Sequence, residues 1–255
     1  MPKYYNYFPY NNSNSYIIPK IKVNHSKNDK LAIPPKKLQK GYRQYISEGK
    51  KQVNNLLEIL KHANFVFKNN FKIIEIGCAA GRMMRHLNKF SKNCEIWGTD
   101  IDADCIYWCK QYLEPPFKFF TATNIPHLPF TDNYFDFIYL GSVFTHIDDL
   151  AEAWMLELKR LISSRGMIYI TIHDYNTVKL LDTKYKDHWL SEYMNSHKIY
   201  KDNKNKFNML VIGRNSDSMV FYDINYFTKI LRDFNFEIVS ITQEAYGYQT
   251  AVLIK

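Results

Sequence analysis

Three groups of residues in this 255-residue chain have the types and spacing to do chemistry. The first is Lys72-Ile-Ile-Glu-Ile-Gly-Cys-Ala-Ala-Gly-Arg82, an apolar run that ends in a glycine turn from Gly77 to Gly81. Glycine there lets the backbone turn tightly and come close to a bound molecule. The second is Asp100, nineteen residues beyond Gly81 in Ile96-Trp-Gly-Thr-Asp-Ile-Asp102. A carboxylate in that place can accept from both hydroxyls of a ribose. The third is a pair of histidines, His146 in Ser142-Val-Phe-Thr-His146 and His173 in Thr171-Ile-His-Asp174. A neutral imidazole suits the removal of a proton from a reacting hydroxyl, and Asp174 is available to orient either ring. Together these residues point to a nucleoside-containing cofactor beside an acid–base group.

The turn disfavours a dinucleotide. The fingerprint Gly-x-Gly-x-x-Gly/Ala, counted from Gly77, requires a small residue where Arg82 stands and a glycine where Ala79 stands. Asp100 serves a ribose in either kind of nucleoside and does not discriminate.

Short apolar runs separated by helical stretches must hold these residues, in the alternation that builds a parallel sheet. Strands are expected at 72–77, 95–99, 117–121, 135–140 and 167–172, with helices at 81–90, 103–113 and 149–163. Asp148-Asp149 opens the last helix and Gly166 follows its end. A helix near 223–233 and two β-rich runs, 236–242 and 249–254, complete the chain, the runs joined by Tyr246-Gly247 as a hairpin. The expected fold is α/β: a Rossmann-like, mostly parallel seven-stranded sheet with helices on both faces and an antiparallel C-terminal hairpin. Upstream, Ile46, Val53, Leu56, Leu57 and Leu60 recur at helical spacing over 42–63. Residues 1–40 lack periodicity and contain the extended Pro34-Pro35, so they read as an arm that is a lid or a tail ahead of a domain at 41–255. Residues 173–218 are too long for an ordinary loop and read as an inserted substrate lid.

The bulk composition bounds the rest. No uninterrupted apolar run approaches the roughly 20 residues of a membrane span. The N-terminus lacks the pattern of a secretory signal, so a cytoplasmic location is expected. Cys78, Cys94, Cys105 and Cys109 form neither a disulfide framework nor a paired zinc motif, and no metal is expected. A net charge of +9 admits an anionic partner, but the lysines are dispersed, and nucleic acid is possible without being favoured. The sequence leaves the oligomeric state open.

The chain resembles the class I S-adenosylmethionine-dependent methyltransferases, in particular the type 11 group and sugar O-methyltransferases. The resemblance runs from about Ile73 to Asp174. It is carried by Glu75-Ile-Gly-Cys-Ala-Ala-Gly-Arg82, Gly98-Thr-Asp-Ile-Asp102, Asn124-Ile-Pro-His-Leu-Pro-Phe130, Tyr134 through His146, and Trp154 through His173. It implies S-adenosylmethionine as cofactor and S-adenosylhomocysteine as product. The turn of Gly77, Cys78, Ala79, Gly81 and Arg82 would lie against the methionine part, with Glu75 supporting its ammonium group. Asp100 would hold the ribose, Ile101 and Ile125 would cover the adenine, and Asn124 would accept from its amino group. Leu140 and Gly141 would line the transferred methyl.

Two residues depart from the pattern. Ala79 replaces the commoner middle glycine and is tolerated if its φ is negative; Asn124 replaces the commoner Asp. The Pro-Pro-x-x-Leu arm (Pro34 to Leu38), Val-Phe-Thr-His and the terminal Gln249-x-x-Val-Leu253 are similar to enzymes that O-methylate sugars or other small hydroxylated metabolites. A small hydroxylated acceptor, a sugar or glycan, is therefore the expected partner, with His146 and His173 as catalytic candidates. The alternatives are an RNA or protein methyltransferase and a non-catalytic S-adenosylmethionine-binding homologue.

Overall fold

The computed structural model describes residues 23–27, 29–213 and 218–255, and the backbone of residues 8–9 and 16–17. The fold is organised by strands that are apolar on both faces, as strands covered by helices on both sides must be. These are β1 (Lys72–Ile76), β2 (Glu95–Asp100), β3 (Lys118–Thr121), β4 (Phe135–Leu140) and β5 (Ile162–Ile172). Two further strands, β6 (Met209–Ile212) and β7 (Met219–Tyr222), form a separate antiparallel pair. The last two are β8 (Ile238–Tyr246) and β9 (Gln249–Ile254). The seven-stranded sheet runs β8-β9-β5-β4-β1-β2-β3. Strands β1 to β5 are parallel, while β9 runs antiparallel to both β5 and β8. The expected α/β fold, including its C-terminal hairpin, is the one found.

Strand alternation splits the core into two layers. Ile73, Phe137 and Tyr139 face one cluster with α1 (Tyr45–His62) and α2 (Ala103–Tyr112). Ile74, Ile138 and Leu140 face the other with α3 (Ala151–Leu161) and a C-terminal helix, Ile224–Asp233. Each fully buried Leu, Ile or Phe contributes about 1.5 to 3 kcal/mol relative to exposure, so these layers fix the strand register.

Local boundaries differ from expectation in three places. Residues 81–90 wind as a 3₁₀ helix, Met84–Phe90, in which Met84, Leu87 and Phe90 share a face at the three-residue repeat. Helix α3 begins at Ala151 without a side-chain cap; Asp148 instead accepts from the Ser218 hydroxyl at 3.0 Å. Gly166 ends no helix: it lies inside β5, where a Cβ would meet Ile162 at 2.6 Å and the Asp136 carbonyl at 2.9 Å.

The inserted region has its own secondary structure and runs past 218. It comprises α4 (Tyr175–Asp182), α5 (Trp189–Ser196), α6 (Lys198–Asn203) and the β6–β7 pair. Val178, Leu181, Leu190, Met194, Tyr200, Leu210, Ile212 and Phe221 form its apolar cluster. The helix Ile224–Asp233, α7, follows and is capped by Asp223, which accepts from the Tyr226 N–H at 2.9 Å.

Much of the tyrosine-rich start of the arm lies outside the described residues. The described part is tied to the 3₁₀ helix that follows the first motif. Arg85, with 0% exposure, donates through Nε and Nη2 to Asp29 and through Nη1 and Nη2 to the carbonyls of Ala32 and Leu31. Among the described residues, no helix is long and apolar enough to cross a membrane.

Candidate active site

At the carboxyl end of β1 the chain reverses through Gly77 and Gly81, both with positive φ (79° and 77°). Each is a glycine for a packing reason as well. A Cβ at 77 would lie 2.4 Å from Val143 Cγ2, and one at 81 would lie 2.8 Å from Leu113 Cδ1. Val143 belongs to the segment after β4, so the absent side chain at 77 lets two strand ends converge. The Cys78 side chain is buried in the first cluster, leaving its backbone at the turn.

Ala79 has φ +44°, contrary to the negative φ under which it was expected to be tolerated. Its N–H donates to Asp100 Oδ2 at 2.7 Å, while the Asp102 N–H donates to Oδ1 at 2.8 Å. The Asp100 carboxylate thus bridges the first and second strand ends and retains lone pairs on both oxygens. Burial pushes its pKa up from the ordinary value, against these backbone bonds. Lys40, from the arm, pairs with the neighbouring Asp102.

Glu75 precedes the turn with its carboxyl buried, accepting from the Tyr139 hydroxyl at 2.9 Å. Burial pushes its pKa up to about 8, with Tyr139 and Arg82 opposing. The Arg82 side chain is itself buried; it donates to Gln52 and to the Tyr246 hydroxyl, and its guanidinium lies 3.7 Å from the centre of the Tyr42 ring. Tyr42, Gln52 and Tyr246 come from three distant segments, so no spacing in the sequence joins them to Arg82. Tyr246 also covers Gly141, where a Cβ would meet its ring at 2.8 Å.

Ile101 and Ile125 follow adjacent strands, β2 and β3, and are 61% and 63% exposed. Asn124 is exposed beside Ile125. The Leu140 side chain is fully buried in the second cluster, so only its backbone reaches the strand end.

After β4, Ser142 has φ +62° and opens a polar network. Its N–H donates to Thr171 Oγ1 (2.7 Å), Thr171 donates to Gln249 Oε1 (2.7 Å), and Gln249 Nε2 donates to Ser142 Oγ (2.8 Å). This closed ring joins β4, β5 and β9 and explains why a polar residue starts the terminal Gln-x-x-Val-Leu run. His146 is exposed beyond it, with Nδ1 2.8 Å from the Ser218 carbonyl.

His173 does not share that exposure. It is 2% exposed, lies 4.8 Å from the Phe221 ring and 5.7 Å from the Tyr248 ring, and neither ring nitrogen has a hydrogen-bond partner. Burial pulls its pKa down to about 3, so near neutral pH it is an uncharged packed ring and too weak a base to take a proton. Asp174 orients no histidine. Its Oδ1 accepts from the Thr177 N–H at 2.9 Å and caps α4.

Residues 74–170 match a family described as a methyltransferase domain. Among solved structures, a protein from Pyrococcus horikoshii is similar over 87% of this chain and 99% of its own, at 17% identity and a TM-score of 0.59. An S-adenosylmethionine-dependent methyltransferase from Clostridium acetobutylicum covers 81% and 91%, at 13% identity and a TM-score of 0.55. A Burkholderia thailandensis 1,6-didemethyltoxoflavin-N1-methyltransferase, solved with its substrate and S-adenosylhomocysteine, covers 85% and 82%, at 10% identity and a TM-score of 0.55. At these identities the structural likenesses establish the fold, and the family match covers the strands that carry both motifs. The chain therefore carries a stretch, residues 74–170, that matches the methyltransferase-domain family, on a fold similar to that of S-adenosylmethionine-dependent methyltransferases.

Proposed function

We propose that the protein transfers the methyl group to a hydroxyl of a small acceptor, a sugar or related metabolite, in the cytoplasm. His146 carries this reading. A carbonyl oxygen only accepts, so the 2.8 Å contact with Ser218 assigns the proton to Nδ1 and leaves the Nε2 lone pair available. An exposed imidazole in that tautomer, just beyond the end of β4, is suited to take the proton of an acceptor hydroxyl. His173 contributes a buried aromatic wall behind it.

The cofactor supplies an already activated methyl, so the protein's remaining task is to hold an acceptor oxygen in line and exclude water. Glu75, the Gly77-to-Gly81 turn with Cys78 and Ala79, and Arg82 would hold the methionine part. Asp100 would take the ribose hydroxyls. Ile101 and Ile125 would cover the adenine, which accounts for two large apolar side chains left exposed at neighbouring strand ends. Asn124 would meet the adenine amino group, and Leu140 and Gly141 would border the methyl. In the domain spanning 41–255, the inserted region at 173–218 would supply the acceptor side.

His146→Ala should leave S-adenosylhomocysteine affinity intact and lower turnover roughly 10²- to 10⁴-fold. Unchanged turnover would remove the base, and transfer to amines or RNA but to no hydroxylated acceptor would overturn the substrate class.

A further inference from the structure

The loop between β3 and β4 carries Asn124 and Ile125, yet its own hydrogen bonds are short-range: Ile125 N–H to Thr123 Oγ1, His127 N–H to the Ile125 carbonyl, Phe130 N–H to the Leu128 carbonyl. What fixes it is α3. Trp154, Glu157 and Arg160 recur at every third residue and share one helix face. Trp154 Nε1 donates to the Asn124 carbonyl at 3.3 Å. Glu157 Oε1 accepts from the Leu128 N–H at 2.7 Å. Arg160 donates from Nη2 to the Leu128 carbonyl at 3.1 Å and from Nη1 to the Phe130 carbonyl at 2.6 Å. Its Nε and Nη2 also engage both oxygens of Glu157, at 2.8 and 2.7 Å.

The two side chains therefore make one fork that grips both the N–H and the C=O of Leu128. Glu157 is 5% exposed, and a buried carboxylate is tolerable because each oxygen is paired. Burial opposes its ionisation, but Arg160 and the Leu128 N–H outweigh burial and hold the carboxyl below its ordinary range. Arg160 also meets Asp132 at 3.0 Å; that carboxylate is 71% exposed, so the contact contributes little.

We infer that Trp154, Glu157 and Arg160 are positioning residues for cofactor recognition: they preset the 124–130 backbone so that Asn124 and Ile125 meet the adenine without first being ordered. This rests on the reading of Asn124 and Ile125 as the adenine contacts. Ordering a loop on binding lowers affinity, and a clamp present beforehand removes that loss.

Calorimetry with S-adenosylhomocysteine and its hypoxanthine analogue, S-inosylhomocysteine, tests the inference. Glu157→Gln and Arg160→Lys should each weaken S-adenosylhomocysteine about 5- to 30-fold, and Trp154→Phe about 3-fold. Discrimination against the hypoxanthine analogue should shrink, and kcat at saturating cofactor should stay within about twofold of wild type. In the free protein, hydrogen exchange at the Leu128 amide should accelerate, while Asp132→Ala should change nothing. Unchanged affinity and discrimination in folded Arg160→Lys and Trp154→Phe would overturn the inference, even if Glu157→Gln fails to fold. Asn124→Ala and Ile125→Ala separate the two readings. If they leave affinity and base selectivity untouched, the adenine assignment itself is wrong and the inference falls with it.

Discussion

Glu75→Gln tests the methionine end of the proposed site through protons. In the unliganded protein, burial holds the Glu75 carboxyl near a pKa of about 8, so at pH 6.5 it is almost wholly protonated. An ammonium group brought against it favours the carboxylate and lowers that pKa, and S-adenosylhomocysteine binding must then expel close to one proton. Each pH unit in this range changes affinity about tenfold, or 1.36 kcal/mol. Between pH 6 and 7 the ligand amine is largely charged, so affinity for S-adenosylhomocysteine should rise about tenfold with pH. Glu75→Gln has nothing to release, and its affinity should be nearly flat. Calorimetry at pH 6.5 in two buffers of different ionisation enthalpy reads the proton directly. Absence of release in the wild type, or equal release from the glutamine variant, would refute the contact. Stability carries the complementary signature. Because the folded pKa is raised, the stability associated with this group is fully present below about pH 4.5 and is lost as pH rises through about 8. Glu75→Gln should remove that loss between about pH 4.5 and about pH 8 in the unliganded protein, as read by denaturant titration.

Asp100→Ala should weaken S-adenosylhomocysteine by about 2 to 3 kcal/mol, through the lost ribose acceptor and the freed Ala79 N–H. An unchanged dissociation constant in the folded variant would place the ribose elsewhere. Ala79→Gly relieves a positive φ at the expense of chain entropy and should raise stability by about 0.5 to 1 kcal/mol, with cofactor affinity retained. Destabilisation in a urea titration would mean that the left-handed conformation is not strained there. Asp29→Ala leaves the buried Arg85 without its carboxylate and should lower stability by about 3 kcal/mol, the lower end for a broken buried pair because two carbonyl acceptors remain. A loss below about 1 kcal/mol would show that the arm is not anchored through this pair.

The fold was legible because its signals are local. Lys72-Ile-Ile-Glu-Ile reads as a doubly buried parallel strand, and a turn with Gly77 and Gly81 can only reverse direction at its end. Boundaries were less legible where a distant residue decides them. Asp148 is a good helix cap by type, yet Ser218 claims its carboxylate. Gly166 has the type of a helix stop, yet it lies within β5, where a Cβ would run into the Ile162 side chain and the Asp136 carbonyl. The inserted region looked irregular because its apolar residues are sparse along the chain and meet only in three dimensions, as Val178, Leu190, Tyr200 and Phe221 do.

By itself the sequence determined the alternation of strands and helices, the placement of Glu75, Asp100 and His173 at strand ends and of His146 beyond one, and the case against a dinucleotide at Arg82. Periodicity and residue type set these, and neither requires a partner far along the chain. Tertiary structure decided what each side chain can do there. His146 and His173 both follow consecutive strands of one sheet, but Phe221 and Tyr248 seal the second while Ser218 fixes the proton of the first. Glu75 and Glu157 are both buried, but burial outweighs the Tyr139 hydroxyl and drives Glu75 toward its neutral form, whereas Arg160 outweighs burial and keeps Glu157 ionised. The ionisation and accessibility of a side chain depend on desolvation and on the charges packed against it, and those neighbours come from segments whose juxtaposition exists only once the chain has folded.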